Sequence, residues 1–549
     1  MGELIESAVT DLDLIIKNGR IVTAAEVLPL GVEIGVRSGK IVCVGHNLQG
    51  NGETQIVDAE GAYVTPGGVD SHVHIQQDNS PTGDTWETGS KSAIAGGNTT
   101  VIAFASQKRA EQSIWPALEA YHAKAKNNAY CDYGFHVILT NPNETVLEEE
   151  LPQLVEKEGI SSVKIYMTYE PMKLGDGDLF NIMMRARGLG ITTMIHAENN
   201  DMIEQITKRL AKQGNTHTFF HSVARPQIAE TEATYRAISL AEVTDTPILL
   251  VHMSAPKAVE HVAEAQRRLL PIHAETCPHY LYLLSNRLQS GPEDLEGAKN
   301  ICAPPLRHNA KDLEEIWLSL ANGTFTVVSS DHAPATFDHP CGKMKGLTTD
   351  DAGHKHADFR VIPNGLPGME TRLPLLFDRS FDPARADGGF EDDKIRISLP
   401  RFVALTSTNP AQLYGLGDRK GSLLPGYDAD IVIWHPEEPP LVARSEADGP
   451  VSLSGGGGGG SRRAGKKFTI TNAKLHHRID YTPFEGIEVR NWPRWVFLRG
   501  KKMWDGDAEG VVGAKGDGEF LKRGKSTLLT GQMGRQATGM MKGEWGYWV

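Results

Sequence analysis

The sequence predicts an α/β protein, a (β/α)8 barrel of the TIM type carrying a second, small β-sandwich domain built from both chain ends. Three observations carry that prediction. Eight short apolar runs alternate with helical patterns across the middle of the chain, over about 260 residues, the usual span of such a barrel. The two ends of the chain read as alternating strands, whereas the middle does not. Several of the central runs finish in His, Lys or Asp, the kind of chemistry a barrel presents at the carboxyl ends of its strands.

At the N-terminal end, Leu12–Lys17, Val32–Val36 and Lys40–Val44 alternate in the strand manner, with Asn18-Gly19 and Ser38-Gly39 as turns between them. Residues 1–64 are therefore expected to form the first part of the sandwich. Residues 65–415 are expected to form the barrel. Its strands are Val69–His74, Thr99–Phe104, Gly134–Thr140, Ser162–Met167, Thr192–His196, Pro247–His252, Pro271–Glu275 and Phe325–Asp331. Helices fill the gaps, among them Leu118–Lys126, Leu179–Leu189, Glu230–Ala241 and Ala258–Leu269. A doubly wound open sheet is the alternative, but no Gly-rich phosphate turn follows the first strand.

Strand texture returns at Ala429–Trp434, Phe468–Thr471 and Trp495–Leu498, which places the second part of the sandwich in residues 416–505. A Gly-rich insertion at 442–467 interrupts it and reads as a flexible surface segment. Within it, Gly455–Gly460 and the basic residues that follow nearly spell a phosphate-binding loop. Lys467 stands where Ser or Thr must reach a metal, however, and no apolar strand precedes the glycines. Residues 506–549 form a tail, expected to reach a neighbouring subunit.

Composition narrows the class of function. The chain has 549 residues, 40% of them hydrophobic and 23% charged, which is ordinary for a globular protein with ample core. A net charge of −13 argues against a nucleic-acid binder. The five cysteines are scattered with no C-x-x-C spacing, so neither a disulfide framework nor a zinc knuckle is expected. No basic leader precedes an apolar core, and no apolar run approaches the ~20 residues of a membrane span. The expectation is a cytoplasmic enzyme acting on a small molecule, with no nucleic-acid or membrane partner.

The most informative feature is His72-Val73-His74 at the end of the first barrel run. In a strand, residues i and i+2 point to the same face, so the two imidazoles converge as metal ligands would. Lys164, His196, His252 and Asp331 close four further runs. A single histidine at a strand end is more often a hydrogen-bonded structural residue. Two on adjacent strands, both near the Lys164 strand, reverse that balance. Asp331 ends the eighth strand and so closes the ring beside His72 and His74.

Lys164 alone would read as a lysine with a packed stem and a solvated head. Beside four histidines and an aspartate, an ammonium would repel any bound metal. Carboxylation by CO2 turns it into a carbamate (N6-carboxylysine) with two oxygens able to bridge two metals. Two divalent ions with Asp331, a carbamate and one hydroxide sum to +1, whereas a protonated Lys164 would leave +3, which a low-dielectric pocket disfavours. Imidazole and carboxylate ligands suit zinc best, with manganese or iron as alternatives.

This set resembles the binuclear amidohydrolase superfamily, and the flanking residues resemble its dihydropyrimidinase/hydantoinase family. They include Val163–Tyr169, Ile195–Asn199, Ala303–Arg307, Ile362–Gly368, Asp480–Gly486, Asn491–Arg494 and Leu521–Ser526. The likeness is greatest to fungal-type dihydropyrimidinases and runs from about residue 12 to 526. It implies that His72, His74 and Asp331 hold one metal, that His196 and His252 hold the other, and that carboxylated Lys164 bridges them. It implies that Tyr169 donates to the developing oxyanion, that Asn364 and the backbone of Ala303 hold the amide edges of the ring, and that the protein is a homotetramer. The family usually has serine where Ala303 stands. The implied reaction is hydrolysis of 5,6-dihydropyrimidine (dihydrouracil, dihydrothymine) or hydantoin rings to N-carbamoyl amino acids by a metal-bridging hydroxide, as in pyrimidine catabolism. The alternatives are an allantoinase- or dihydroorotase-like enzyme and a non-catalytic assembly relative. A dihydroorotase usually has arginine two positions after the second histidine, where this chain has Gln76. Assembly relatives have lost metal ligands that this chain keeps.

Overall fold

The structure is a computed structural model that describes residues 11–528 apart from 79, 292–293, 350–352, 354, 382–395, 437–466 and 509. Its centre is a sheet of eight parallel strands in consecutive order. These are β1 (Gly68–Val73), β2 (Asn98–Ser106), β3 (Asp132–Ile138), β4 (Ser162–Tyr166), β5 (Thr192–His196), β6 (Ile248–Leu250), β7 (Ile272–Thr276) and β8 (Val327–Val328). All eight predicted runs are strands. The ring closes just beyond β8, where Val73 bridges His332 in parallel and His74 N–H donates to His332 O at 2.6 Å.

Side-chain parity explains why these runs are near-continuously apolar. Val163 and Ile165 of β4 pack among the surrounding helices, while Tyr166 joins Val69, Ile102, Phe104, Ile138, Met194, Leu249 and Val327 inside the barrel. Both faces of each strand are buried, as a parallel barrel requires. One irregularity decides the site. Strict alternation from inward-facing Val69 would turn His72 outward, but a register shift between Asp70 and Val73 switches the parity. Val73 then packs outward with the helices, and His72 faces the barrel axis.

The sandwich is made of two sheets. Lys40–Gly45, Glu33–Arg37, Leu14–Lys17 and Gln55–Asp58 form one, from the N-terminal end alone. The other mixes both ends: Arg20–Ile21 and Tyr63–Pro66 pair onward to Ile431–Trp434, Pro493–Leu498, Lys501–Asp505 and Gly510–Val511. Leu14, Ile16, Ile34, Val64, Ile431 and Phe497 fill the space between them.

One expectation needs correction. Phe468–Thr469 does not join the sandwich. It pairs with Glu488–Val489 in a sheet of its own, and Ile470, Phe484 and Val489 pack on Cys277, Tyr280 and Leu306 beside the barrel. After Gly510–Val511 the described chain runs back along its own barrel as far as residue 528. Tyr133 N–H donates to Glu519 O, Leu521 N–H to Tyr133 O and Arg523 N–H to Gly159 O. The Arg523 guanidinium is buried and donates to Phe135 O, Ser162 Oγ and Tyr414 O, the partners a buried cation needs. Residues 529–549 and the glycine run of the insertion lie outside the described residues. Among the described residues, no helix is long and apolar enough to cross a membrane.

Candidate metal centre and substrate cavity

The barrel brings all six expected ligands to one end. His72 lies at the end of β1 and His74 one step past it, Lys164 lies within β4, His196 ends β5, and His252 and Asp331 lie just past β6 and β8. The nearest ligand atoms of His72, His74 and Asp331 are within 4.8 Å of one another. Asp331 Oδ1 lies 3.2 Å from His72 Nε2 and 3.6 Å from His74 Nε2. The His252 ring sits 4.4 Å from that of His196 and 5.5 Å from that of His72, centroid to centroid. Lys164 Nζ is 3.5 Å from His72 Nε2.

The remaining ring nitrogens show how the histidines are oriented. His72 Nδ1 is 2.6 Å from Glu275 Oε1, and His74 Nδ1 is 2.9 Å from Gln77 Oε1. Both facing oxygens are acceptors. Glu275 Oε1 also accepts from His252 N–H at 3.1 Å, so the proton that burial favours on this carboxyl, pushed up to about 8, belongs on Oε2. The Gln77 amide is fixed by donation from Nε2 to Phe104 O. The protons are therefore assigned to Nδ1, leaving two bare Nε2 lone pairs facing the Asp331 carboxylate. Acceptors that close repel one another unless a cation lies between them. His196 Nε2 meets Glu198 Oε2 at 2.8 Å, so its Nδ1 is the bare nitrogen, and His252 Nδ1 is buried with no hydrogen-bond partner among the described residues. Burial holds His72, His196 and His252 below the usual histidine range, in the neutral form a metal requires. The donor set fits divalent ions.

Lys164 differs from the other fully buried lysines. Lys420 meets Asp132, Asp430 and Asp428 at 2.6–3.0 Å, and Lys343 donates to three carbonyls. Lys164 is 0% exposed, and among the described residues no carboxylate lies within ion-pair distance of it. Its amine has the faces of Phe104 and Tyr166 at 5.4 and 5.3 Å, and burial lowers its pKa to about 8.

A cavity of about 260 Å³ opens above the histidines, lined also by Gln77, Tyr169, Met172, Ala303 and Asn364. Asn364 Nδ2 donates to the Tyr169 hydroxyl at 3.1 Å. Burial pushes the Tyr169 phenol up to about 12, so it keeps its proton at neutral pH. Tyr169, His252 and Asp331 all have positive φ (69°, 40° and 46°), uncommon backbone for non-glycine residues that turns each side chain inward at its strand end. Among the described residues, no arginine or lysine lines this cavity.

Residues 63–503 match the amidohydrolase family. The chain belongs to the hydantoinase/dihydropyrimidinase branch of that family. It is 36% identical to a D-hydantoinase of Ralstonia pickettii over 522 residues, covering 94% of this chain and 99% of the relative. A D-hydantoinase of Geobacillus stearothermophilus is also 36% identical, over 94% of this chain and 97% of its own. Among solved structures, a dihydropyrimidinase from Brevibacillus agri superposes with a TM-score of 0.80 at 34% identity, covering 94% of this chain and 99% of that one. A divalent metal centre belongs to such an amidohydrolase, and the cluster of His72, His74 and Asp331 suits it.

Sequence reasoning missed the residues that hold the ligands. Glu275 was visible as a carboxylate inside the run Ile272–Thr276, yet nothing local marked it as the partner of His72. Gln76 stays outside the cavity lining. Its side chain accepts from Trp86 N–H at 3.0 Å, and Gln77 is the glutamine that lines the cavity. Glu198 was seen only as part of a motif. Burial opposes its ionisation, but Arg225, His196 and Arg307 outweigh this and hold it down to about 2.

Proposed function

We propose that the chain hydrolyses the ring amide of 5,6-dihydropyrimidines or hydantoins to N-carbamoyl amino acids. The observation that carries this reading is the convergence of six ligand-competent side chains beneath a small cavity free of lysine and arginine among the described residues. His72, His74 and Asp331 would hold one divalent ion, His196 and His252 a second, with Lys164 as a bridging carbamate; zinc suits the set best. The ions would acidify a water and polarise the ring carbonyl.

The protein's own groups do the rest. Asp331 directs Oδ1 at the two imidazoles, which leaves Oδ2 to take the proton of the attacking water and deliver it to the departing ring nitrogen. The Tyr169 hydroxyl donates to the oxyanion, worth about 3 kcal/mol for one well-placed donor. Asn364 steadies that hydroxyl and, with the backbone of Ala303, grips the amide edges of the ring. Dihydroorotate carries a carboxylate that no cationic side chain lining this cavity among the described residues would receive, which favours uncharged rings. The named relatives, D-hydantoinases and a dihydropyrimidinase, support the same substrate class. We further place the protein in the cytoplasm as a homotetramer; its five free cysteines suit a reducing compartment.

The test is a metal assay together with turnover of dihydrouracil, hydantoin, allantoin and dihydroorotate. The reading expects close to two metal ions per chain and the highest kcat/KM on dihydrouracil or hydantoin. A higher kcat/KM on dihydroorotate or allantoin, or full activity with a single ion, would overturn it.

A further inference from the structure

Lys343 lies on the excursion that follows β8 and is fully buried. Its Nζ donates to Ile301 O at 3.1 Å, to Pro363 O at 2.6 Å and to Gly365 O at 2.8 Å. These carbonyls belong to the two segments that carry Ala303 and Asn364 to the cavity. Ile301 stands two residues before Ala303, and Pro363 and Gly365 flank Asn364.

We propose that Lys343 is a positioning residue for substrate recognition, tying the Ile301–Ala303 and Pro363–Gly365 segments together so that Ala303 and Asn364 keep the spacing that grips the two amide edges of the ring. The inference rests on the ring-amide substrate proposed above.

An ammonium carries three N–H donors, and here each has its own carbonyl. Such charge-assisted bonds are roughly twice as strong as those between neutral groups. Among the described residues the cage contains no carboxylate, so burial works against the charge and lowers the pKa to about 7. An apolar chain of the same length would fill the space without that cost. What it would not supply is the three-point tie. Apart from Lys343, Gly365 N–H donates to Ile301 O at 3.0 Å, and His221 Nε2 holds Cys302 O from the other side at 2.7 Å. The first joins the two segments at a single point and the second steadies the Ala303 side; neither engages Pro363, so Lys343 adds the further ties that fix the spacing. Lys420 is the contrast: it joins barrel strand β3 to the sandwich through carboxylates and touches nothing in the cavity. Hydrogen bonds to a ring weaken steeply once donor and acceptor shift by several tenths of an ångström, so the separation of two gripping segments sets affinity directly.

The experiment compares wild type with Lys343→Met on dihydrouracil and hydantoin, alone and in an Asn364→Ala background, with metal content measured throughout. We expect KM to rise about tenfold while kcat stays within about threefold and metal content is unchanged, the pattern of lost ground-state binding. In the Asn364→Ala background the added effect on KM should shrink to less than about threefold, because the contact being positioned is gone. A KM unchanged by Lys343→Met, or the full effect persisting in that background, would overturn the role. If Lys343→Met does not accumulate as folded protein, Lys343→Gln, which keeps two donors, is read in the same way: a smaller rise in KM supports the role and an unchanged KM refutes it. Wild type that opens neither ring would refute the proposed function itself, whereas active wild type beside a KM-neutral variant would refute only the role of Lys343.

Discussion

The Lys164 amine lies 3.5 Å from the bare Nε2 of His72, in a fully buried position that no carboxylate reaches among the described residues. A buried cation without an ion-pair partner costs several kcal/mol, and the more distant Glu275 and Asp331 offset only part of that. Conversion to a carbamate, as proposed above, would replace that positive charge by a negative one and add two oxygens where the ligands converge. Lys164→Ala should therefore lose its metal and its activity while the barrel persists, since Val163 and Ile165 carry the packing of β4. Acetate or propionate with added metal should restore part of the activity, and alkylamines should not. Rescue by amines alone would mean that Lys164 works as a cation.

Asp331→Asn tests proton transfer. The amide retains an oxygen to face His72 and His74 but cannot take the proton of the attacking water. Turnover should fall about 100-fold or more. Near-normal turnover with metal retained would leave Asp331 without a part in proton transfer.

Glu275 accepts from His72 Nδ1 and also from His252 N–H at 3.1 Å, so one carboxylate orients two of the expected ligands. Glu275→Gln should weaken metal affinity by about 10- to 100-fold, the usual cost of losing a partner that orients a ligand. Competition against a chelator reads this directly. Unchanged affinity would show that the imidazoles hold their orientation without it.

Lys420→Met probes the joint between barrel and sandwich. It leaves Asp132, Asp428 and Asp430 buried without their shared cation, which should cost about 3–5 kcal/mol at neutral pH. Burial opposes ionisation of Asp428, yet Lys420 and Lys40 hold it down to about 2 in the wild type, so its stabilising effect is present above the ordinary aspartate range and lost only as pH falls through that value. Without Lys420, Asp132 keeps Arg499, and Asp428 keeps Arg419 and Lys40. Asp430, whose carboxyl burial already raises, loses its ammonium partner and binds protons more readily folded than unfolded, so stability should fall as pH rises. The deficit in Tm against wild type should accordingly shrink between pH 7 and pH 5. A deficit independent of pH would point to lost packing alone.

The sequence by itself determined the eight barrel strands and the six expected ligands. Their signals are local: short β-branched runs buried on both faces, each ending in a side chain that can hold a metal. It also showed that both chain ends build one sandwich, because alternation with a period of two survives in each piece separately. Tertiary structure alone decided the rest. The register shift in β1 that turns His72 inward depends on pairing with β2. Gln76 and Gln77 are neighbours of identical chemistry, and only the turn at Gln76, with φ at 49°, sends one to Trp86 and the other to His74. Glu275, Lys343 and Arg523 find partners far away in sequence, across strands or loops that meet only when the ring closes. Periodicity is fixed by covalent neighbours, whereas a buried charge takes whichever distant donors or acceptors closure brings within 3 Å or so, and no short stretch of sequence records which those are.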